Sequence, residues 1–212
     1  MYFFYMQAQK NILYRCVLIT VAVLLLDQVL KIWVKTHFTL GESIKITNWF
    51  FIYFIENNGM AFGVELFSKI FLSVFRILAV IFIAYFIYSS IKKEKYPQGF
   101  LYAVTLIFAG ALGNIIDSVF YGVLFTKSTP FSVATIFPIE GGYAPWFYGK
   151  VVDMFYFPLV ETTFPTWIPI WGGQDFVFFS PIFNLADASI TIGAFIILLF
   201  YRTLLKTENK EG

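Results

Sequence analysis

The chain has 212 residues, of which 59% are hydrophobic, 22% aromatic and only 13% charged, with a formal net charge of +2. A soluble domain carries roughly twice that share of charge, so the composition points to an integral membrane protein with several spans. No Lys/Arg patch is interleaved with aromatics, which excludes a nucleic-acid binder. The single cysteine, Cys16, excludes an internal disulfide and a multi-cysteine metal site.

In chain order, the first apolar stretch runs from about residue 12 to 34. It is too long for a secretory h-region, contains Asp27 and lacks a small-x-small cleavage site, so an uncleaved span is expected. Further spans are expected at about 70–91, 96–119 and 182–205, each long enough to cross about 30 Å of hydrocarbon as helix, which takes roughly 20 residues. The apolar runs are continuous rather than alternating, which favours helices over a barrel. Lys10 and Arg15, then Lys92, Lys93 and Lys95, then Arg202, Lys206 and Lys210 all fall on one side, predicted to be the cytoplasm. Both termini are then cytoplasmic, and segments 35–69 and 120–181 lie outside. The expected class is a membrane all-α fold with a small β-sheet, formed by residues 1–212 as a single domain.

The first outer segment reads as two strands, Ser43–Thr47 and Trp49–Phe54, followed by a turn at Glu56-Asn57-Asn58-Gly59. His37 is expected in a loop, and a metal role is disfavoured because the chain has no second histidine. The second outer segment holds seven of the eight prolines and should be irregular with short strands, its Trp146, Trp167 and Trp171 at the lipid interface. Val151–Phe155 stands out within it as an apolar strand carrying one acid, Asp153.

Topology makes the acids converge. Asp27, with Lys31 one helical turn later on the same face, lies toward the outer end of the first span. Asn114 and Asp117 reach the outer end of the third, and Asn184 and Asp187 open the fourth. An acid within a span costs roughly 2.5–3.5 kcal/mol on insertion scales, so each needs a partner or a task. Asp27–Lys31 reads as a structural ion pair. Asn114, Asn184 and Asp117 read as an interhelical hydrogen-bond network. For Asp187 and Asp153 chemistry is favoured, although the helices alone would set Asp117 beside Asp187. Two neighbouring carboxylates share a proton near neutrality, so that one takes a proton from water while the other polarises a carbonyl. Acids crossing the whole bilayer would mark a transporter or channel instead, and that reading is the first alternative.

Five motifs in this order resemble the lipoprotein signal peptidase family, signal peptidase II, over most of the chain. They are Asp27-Gln28-Val29-Leu30-Lys31, Asn57-Asn58-Gly59-Met60-Ala61-Phe62-Gly63, Gly110-Ala111-Leu112-Gly113-Asn114-Ile115-Ile116-Asp117, Lys150-Val151-Val152-Asp153-Met154 and Phe183-Asn184-Leu185-Ala186-Asp187. The resemblance implies an aspartic endopeptidase of the bacterial cytoplasmic (inner) membrane. Such an enzyme removes the signal peptide from diacylglyceryl-modified prolipoproteins just before the lipidated cysteine, without metal or cofactor. It implies Asp153 and Asp187 as the catalytic pair, near the outer, periplasmic face. Asn114, Asp117 and Asn184 would support the pair, Asn57 and Gly59 would meet substrate, and Asp27–Lys31 would brace the first helix. The expected partners are the prolipoprotein, membrane lipid and globomycin-type inhibitors, with a monomer as the working unit. Two departures stand out. Ser118 occupies a position where the family usually has Arg, so that another cation, such as Lys127 or Lys150, substitutes or the contact is absent. The stretch from Asp117 to Asp153 spans 36 residues, longer than the family's usual connection, and suggests a flap or collar. An inactive relative that only binds precursors is the second alternative.

Overall fold

A computed structural model describes residues 2–58, 69–158, 160–178 and 181–207. Among the described residues three helices are long and apolar enough to cross a membrane. These are α1 (Tyr2–His37), α2 (Lys69–Lys93) and α3 (Gln98–Leu124). A fourth apolar helix, α4 (Leu185–Phe200), has 16 residues and is followed by the short α5 (Arg202–Thr207). The expected uninterrupted helix over 182–205 is therefore not observed. Residues 182 and 183 belong to a strand, Asn184 caps α4, and the helix ends at Tyr201, whose backbone leaves the helical region.

The helices show apolar side chains outward as well as inward. Leu25, Val29, Leu78, Phe82, Phe195 and Leu199 are all exposed, which is the surface a lipid environment accommodates. α1 and α3 run in the same direction, with α2 and α4 opposed. At one end Cys16 packs with Ile87, Ile91 and Leu101, with Tyr201 against them; at the other, Lys31 meets Asn114. α3 is the central helix, and α4 lies tightly against it. A Cβ built on Gly110 would come 2.2 Å from the Ala186 carbonyl oxygen, so only glycine permits this approach.

A four-stranded antiparallel sheet caps the end of the bundle where α1 and α3 finish. Its order is β1 (Ser43–Lys45), β2 (Phe51–Asn57), β3 (Val151–Tyr156) and β6 (Ile182–Phe183). Val34, Phe38, Phe54, Tyr121, Phe125, Val152 and Met154 form a buried core between this sheet and the ends of α1 and α3. The remaining strands, β4 (Val160–Thr163) and β5 (Asp175–Phe178), make a separate hairpin whose connection exposes Trp167, Ile170 and Trp171.

Strand β3 lies where the sequence suggests. The expected turn at 56–59 does not start so early: Glu56 and Asn57 still pair with Val152 and Val151, so β2 continues through them. His37 is the last residue of α1, not part of a loop. The connection between α3 and β3 is irregular but closely bound. It returns along α3 through backbone hydrogen bonds from Tyr143 to Phe125, Ala144 to Gly122, Phe147 to Val119 and Gly149 to Ser118.

Candidate active site

Strand pairing places the first carboxylate. Phe155 of β3 is opposite Phe183 of β6. Asp153, two residues before Phe155, therefore points to the same side of the sheet, and α4 begins directly after Phe183. Asn184 is the N-cap of α4. Its side-chain oxygen accepts from the Asp187 backbone N–H at 2.8 Å, while the Asp187 carboxylate turns back toward the Asn184 N–H, completing a capping box. The cap fixes Asn184 and Asp187 as one unit at the positive end of the helix dipole.

Asp153 is 1% exposed. One of its oxygens accepts from the Asn184 amide at 2.7 Å and the other from the Asn57 amide. Asp187 is half-buried, and its Oδ1 accepts from the Asn114 amide at 2.8 Å. Asn114 Oδ1 in turn accepts from Asn184 Nδ2 at 3.2 Å. The two carboxylates are thus joined through two asparagine amides. Burial, followed by the negative charge of Asp187, pushes the Asp153 carboxyl up to about 7; the bonds from Asn184 and Asn57 and the charge of Lys31 offset part of that rise.

Beneath this pair, Lys31 is fully buried. An ammonium has three N–H donors, and each finds an acceptor: Asp27 Oδ2 at 2.9 Å, Asp117 Oδ2 at 2.8 Å and Asn114 Oδ1 at 2.9 Å. The acids are tied outward as well. Asp27 Oδ1 accepts from the Ala186 N–H at 2.9 Å, in the first turn of α4, and Asp117 Oδ2 accepts from the Val152 N–H at 3.3 Å, in β3. The lysine cluster therefore sets α4 and β3, the two elements that carry Asp187 and Asp153. Gly113 leaves the space: a Cβ there would come 2.9 Å from Asp27 Oδ2.

Gln28 belongs to the same network. Its amide donates to Asp117 Oδ1 at 2.9 Å, and its oxygen accepts from the Tyr121 hydroxyl at 3.0 Å. Sequence reasoning gave it no role, although an amide beside Asp27 in an apolar run was a usable signal. Asp27, Lys31, Asn57, Asn114, Asp117, Asp153, Asn184 and Asp187 all meet here. Gly59 lies outside the described residues. Asn57 touches Asp153 itself, so the structure gives it an acid-supporting contact beyond the expected substrate-side position. Lys127 is exposed, Lys150 faces Glu56, and Ser118 closes its hydroxyl on the Asn114 carbonyl at 2.9 Å.

Beside Asp187, a cavity of about 450 Å³ is lined by Pro181, Phe183, Ala188, Thr191 and Ile192 together with the acid. It is a mostly apolar groove that meets a carboxylate at one wall. Among the described residues no group of His, Cys, Asp or Glu is arranged to hold a metal ion.

Residues 19–203 match the family model for signal peptidase (SPase) II. The chain belongs to the signal peptidase II family. It is 54% identical over 181 residues to the lipoprotein signal peptidase of Porphyromonas gingivalis, covering 85% of this chain and 80% of that one. It is 32% identical over 196 residues to the lipoprotein signal peptidase of Staphylococcus aureus, with 92% and 91% covered. A solved bacterial membrane enzyme, obtained by the in meso method, superposes with a TM-score of 0.60 at 29% identity, covering 93% of this chain and 92% of the other. The chain is a member of a peptidase family built on membrane helices. A transporter or channel assignment is not supported by this membership.

Proposed function

We propose that this protein is an intramembrane aspartic endopeptidase that removes the signal peptide from diacylglyceryl-modified prolipoproteins, cutting just before the lipidated cysteine. The observation that carries the reading is the Asp153–Asn184–Asn114–Asp187 chain, two carboxylates held in unlike environments and joined by amide bridges. Asp153, buried and with its carboxyl raised to about 7, is the member that holds the shared proton at neutral pH. Asp187, half-buried at the wall of the groove, is the base. Water adds to the scissile carbonyl carbon as its proton passes to Asp187, and Asp153 gives its proton to the carbonyl oxygen. The tetrahedral diol then collapses: the C–N bond breaks, the amine takes the proton from Asp187, and a hydroxyl proton returns to Asp153. Asn114 and Asn184 hold the carboxylates in place, Lys31 holds the Asn114 amide, and Asp27 and Asp117 anchor the backbone of α4 and β3.

The apolar groove suits the acyl chains or the apolar residues of the substrate. Burial of a polar site at the end of the bundle fits a substrate anchored in the bilayer by its lipid. The Lys/Arg distribution supports a four-helix path with both termini cytoplasmic and the site at the outer face of the bacterial cytoplasmic membrane. The 16-residue α4 extends with α5 to 207, which suits the fourth crossing. Among the described residues one chain supplies both acids and the amides that bridge them, which supports a monomer as the working unit, and globomycin-type compounds are expected inhibitors.

The test is incubation of the purified protein with a diacylglyceryl-modified precursor peptide, with products read by mass spectrometry. Cleavage at the bond before the modified cysteine, blocked by a globomycin-type inhibitor, is expected. Absence of cleavage by properly inserted protein would overturn the reading.

A further inference from the structure

A second buried charge cluster lies one helical turn beyond Lys31. Lys35 of α1 is 0% exposed. Its ammonium pairs with Glu56 Oε1 and donates to the Ser128 hydroxyl at 3.0 Å. Ser128 donates to the same Glu56 oxygen at 2.9 Å, and Lys150 faces the other at 3.5 Å. The rings of Phe125 and Tyr143 flank the Lys35 ammonium at 5.4 and 5.1 Å.

The position of this cluster matters more than its charge. Glu56 immediately precedes Asn57 in β2. Successive strand residues face opposite sides, so Glu56 is gripped from one face while Asn57 reaches Asp153 from the other. The pairing of β2 with β1 stops at Tyr53, and among the described residues, 55–57 have only β3 as a strand neighbour. Side chains therefore take over where one ladder ends. They come from both ends of the long α3–β3 connection: Ser128 near its start, and Lys150 directly before β3, whose N–H donates to the Tyr143 hydroxyl at 2.6 Å.

We propose that Lys35, Glu56 and Ser128 are positioning residues that lock the end of β2 and so aim the Asn57 amide at Asp153, setting the pH up to which Asp153 keeps its proton. The proposal rests on the catalytic-pair reading above. Its sign follows from chemistry. The bond from Asn57 favours the ionised carboxylate, so loosening it makes Asp153 hold its proton to higher pH. The other groups facing Asp153 are Asn184 and Asp187 of α4 and Lys31 of α1. Those facing Glu56 are Lys35, Ser128 and Lys150, with Lys69 at longer range. None of the groups around Asp153 is altered by changes at residues 35, 56 or 128.

The experiment is a pH–rate profile on the lipidated precursor for the Lys35→Met/Glu56→Gln double variant, which removes both charges together, and for Ser128→Ala as the milder change. The alkaline limb of kcat should move up by roughly half a unit to one unit in the double variant and less in Ser128→Ala, with KM little changed. Asn57→Ala should move the limb the same way, and adding the double variant to it should move it no further. A limb that stays in place, or shifts that simply add, would overturn the proposal. If the double variant does not fold, Ser128→Ala alone and in the Asn57→Ala background decides it. Cleavage by Asp153→Asn or Asp187→Asn would instead sink the catalytic-pair reading on which the proposal stands.

Discussion

Lys31 and Lys35 are one turn apart on α1, and both are completely buried. Their surroundings differ in origin. Lys31 is held by Asp27, Asn114 and Asp117, all on helices that line the bundle. Lys35 is held by Glu56 and Ser128, from a strand and from an irregular connection. The first cluster fixes the elements that carry both acids; the second grips the strand that carries Asn57 against the α3–β3 connection. The same residue type at neighbouring positions thus serves as a keystone in one case and as an adjustable support in the other.

The sharpest way to separate them is to remove each cation. Lys31→Met leaves Asp27 and Asp117 facing each other without a counter-charge, and breaking a buried pair costs about 3–5 kcal/mol. Thermal unfolding in detergent should show that loss, and cleavage should fall below detection. Lys35→Met should cost less, about 1–3 kcal/mol, because Ser128 and Lys150 still face Glu56, and measurable cleavage should remain. Equal effects would erase the distinction drawn here.

Packing gives the next effect. Gly110→Val would drive side-chain atoms into the Ala186 carbonyl, and overpacking of this kind costs about 1–3 kcal/mol. Since Ala186 adjoins Asp187, turnover should fall more than substrate binding, which a kcat/KM dissection would reveal.

A further effect is the pH dependence of stability. The carboxyl of Asp153 is raised from its ordinary value near 3.8 to about 7 in the folded chain. Its contribution to stability is therefore fully present below about pH 4 and is lost as pH rises through about 7. Asp153→Asn does not titrate, so its melting temperature relative to wild type should climb between pH 5 and 8. A constant difference would show that Asp153 is not perturbed. The smallest effect expected is that of Ser128→Ala, about 1 kcal/mol in detergent unfolding.

The contrast between the lysines also explains what could be read in advance. Asp27 and Lys31 are visible as a pair because helical spacing is fixed, and Asn114, Asp117, Asn184 and Asp187 follow once helix directions are assigned from the basic residues. Strand β3 was legible from its apolar run and its single acid. Lys35 was not legible as a partner of Glu56, since their meeting depends on how far β2 runs, and the run Glu56-Asn57-Asn58-Gly59 has the composition of a turn. Pairing with Val151 and Val152 carries the strand past that signal. Ser128 was hidden for a related reason: the course of a long connection is set by tertiary hydrogen bonds to α3, which leave no periodicity in the sequence. The later start of α4 reflects the same rule, as capping by Asn184 and the pairing of β6 with β3 overrode an apolar run that begins at 182.

The central claim is that Asp153 and Asp187 together perform the hydrolysis. The most direct measurement is cleavage of a diacylglyceryl-modified precursor by Asp153→Asn and Asp187→Asn proteins whose membrane insertion and unfolding have been checked. The account predicts that each variant, though folded, loses at least about a thousandfold in turnover, while Asn57→Ala loses roughly tenfold. Near-normal cleavage by either aspartate variant would contradict it.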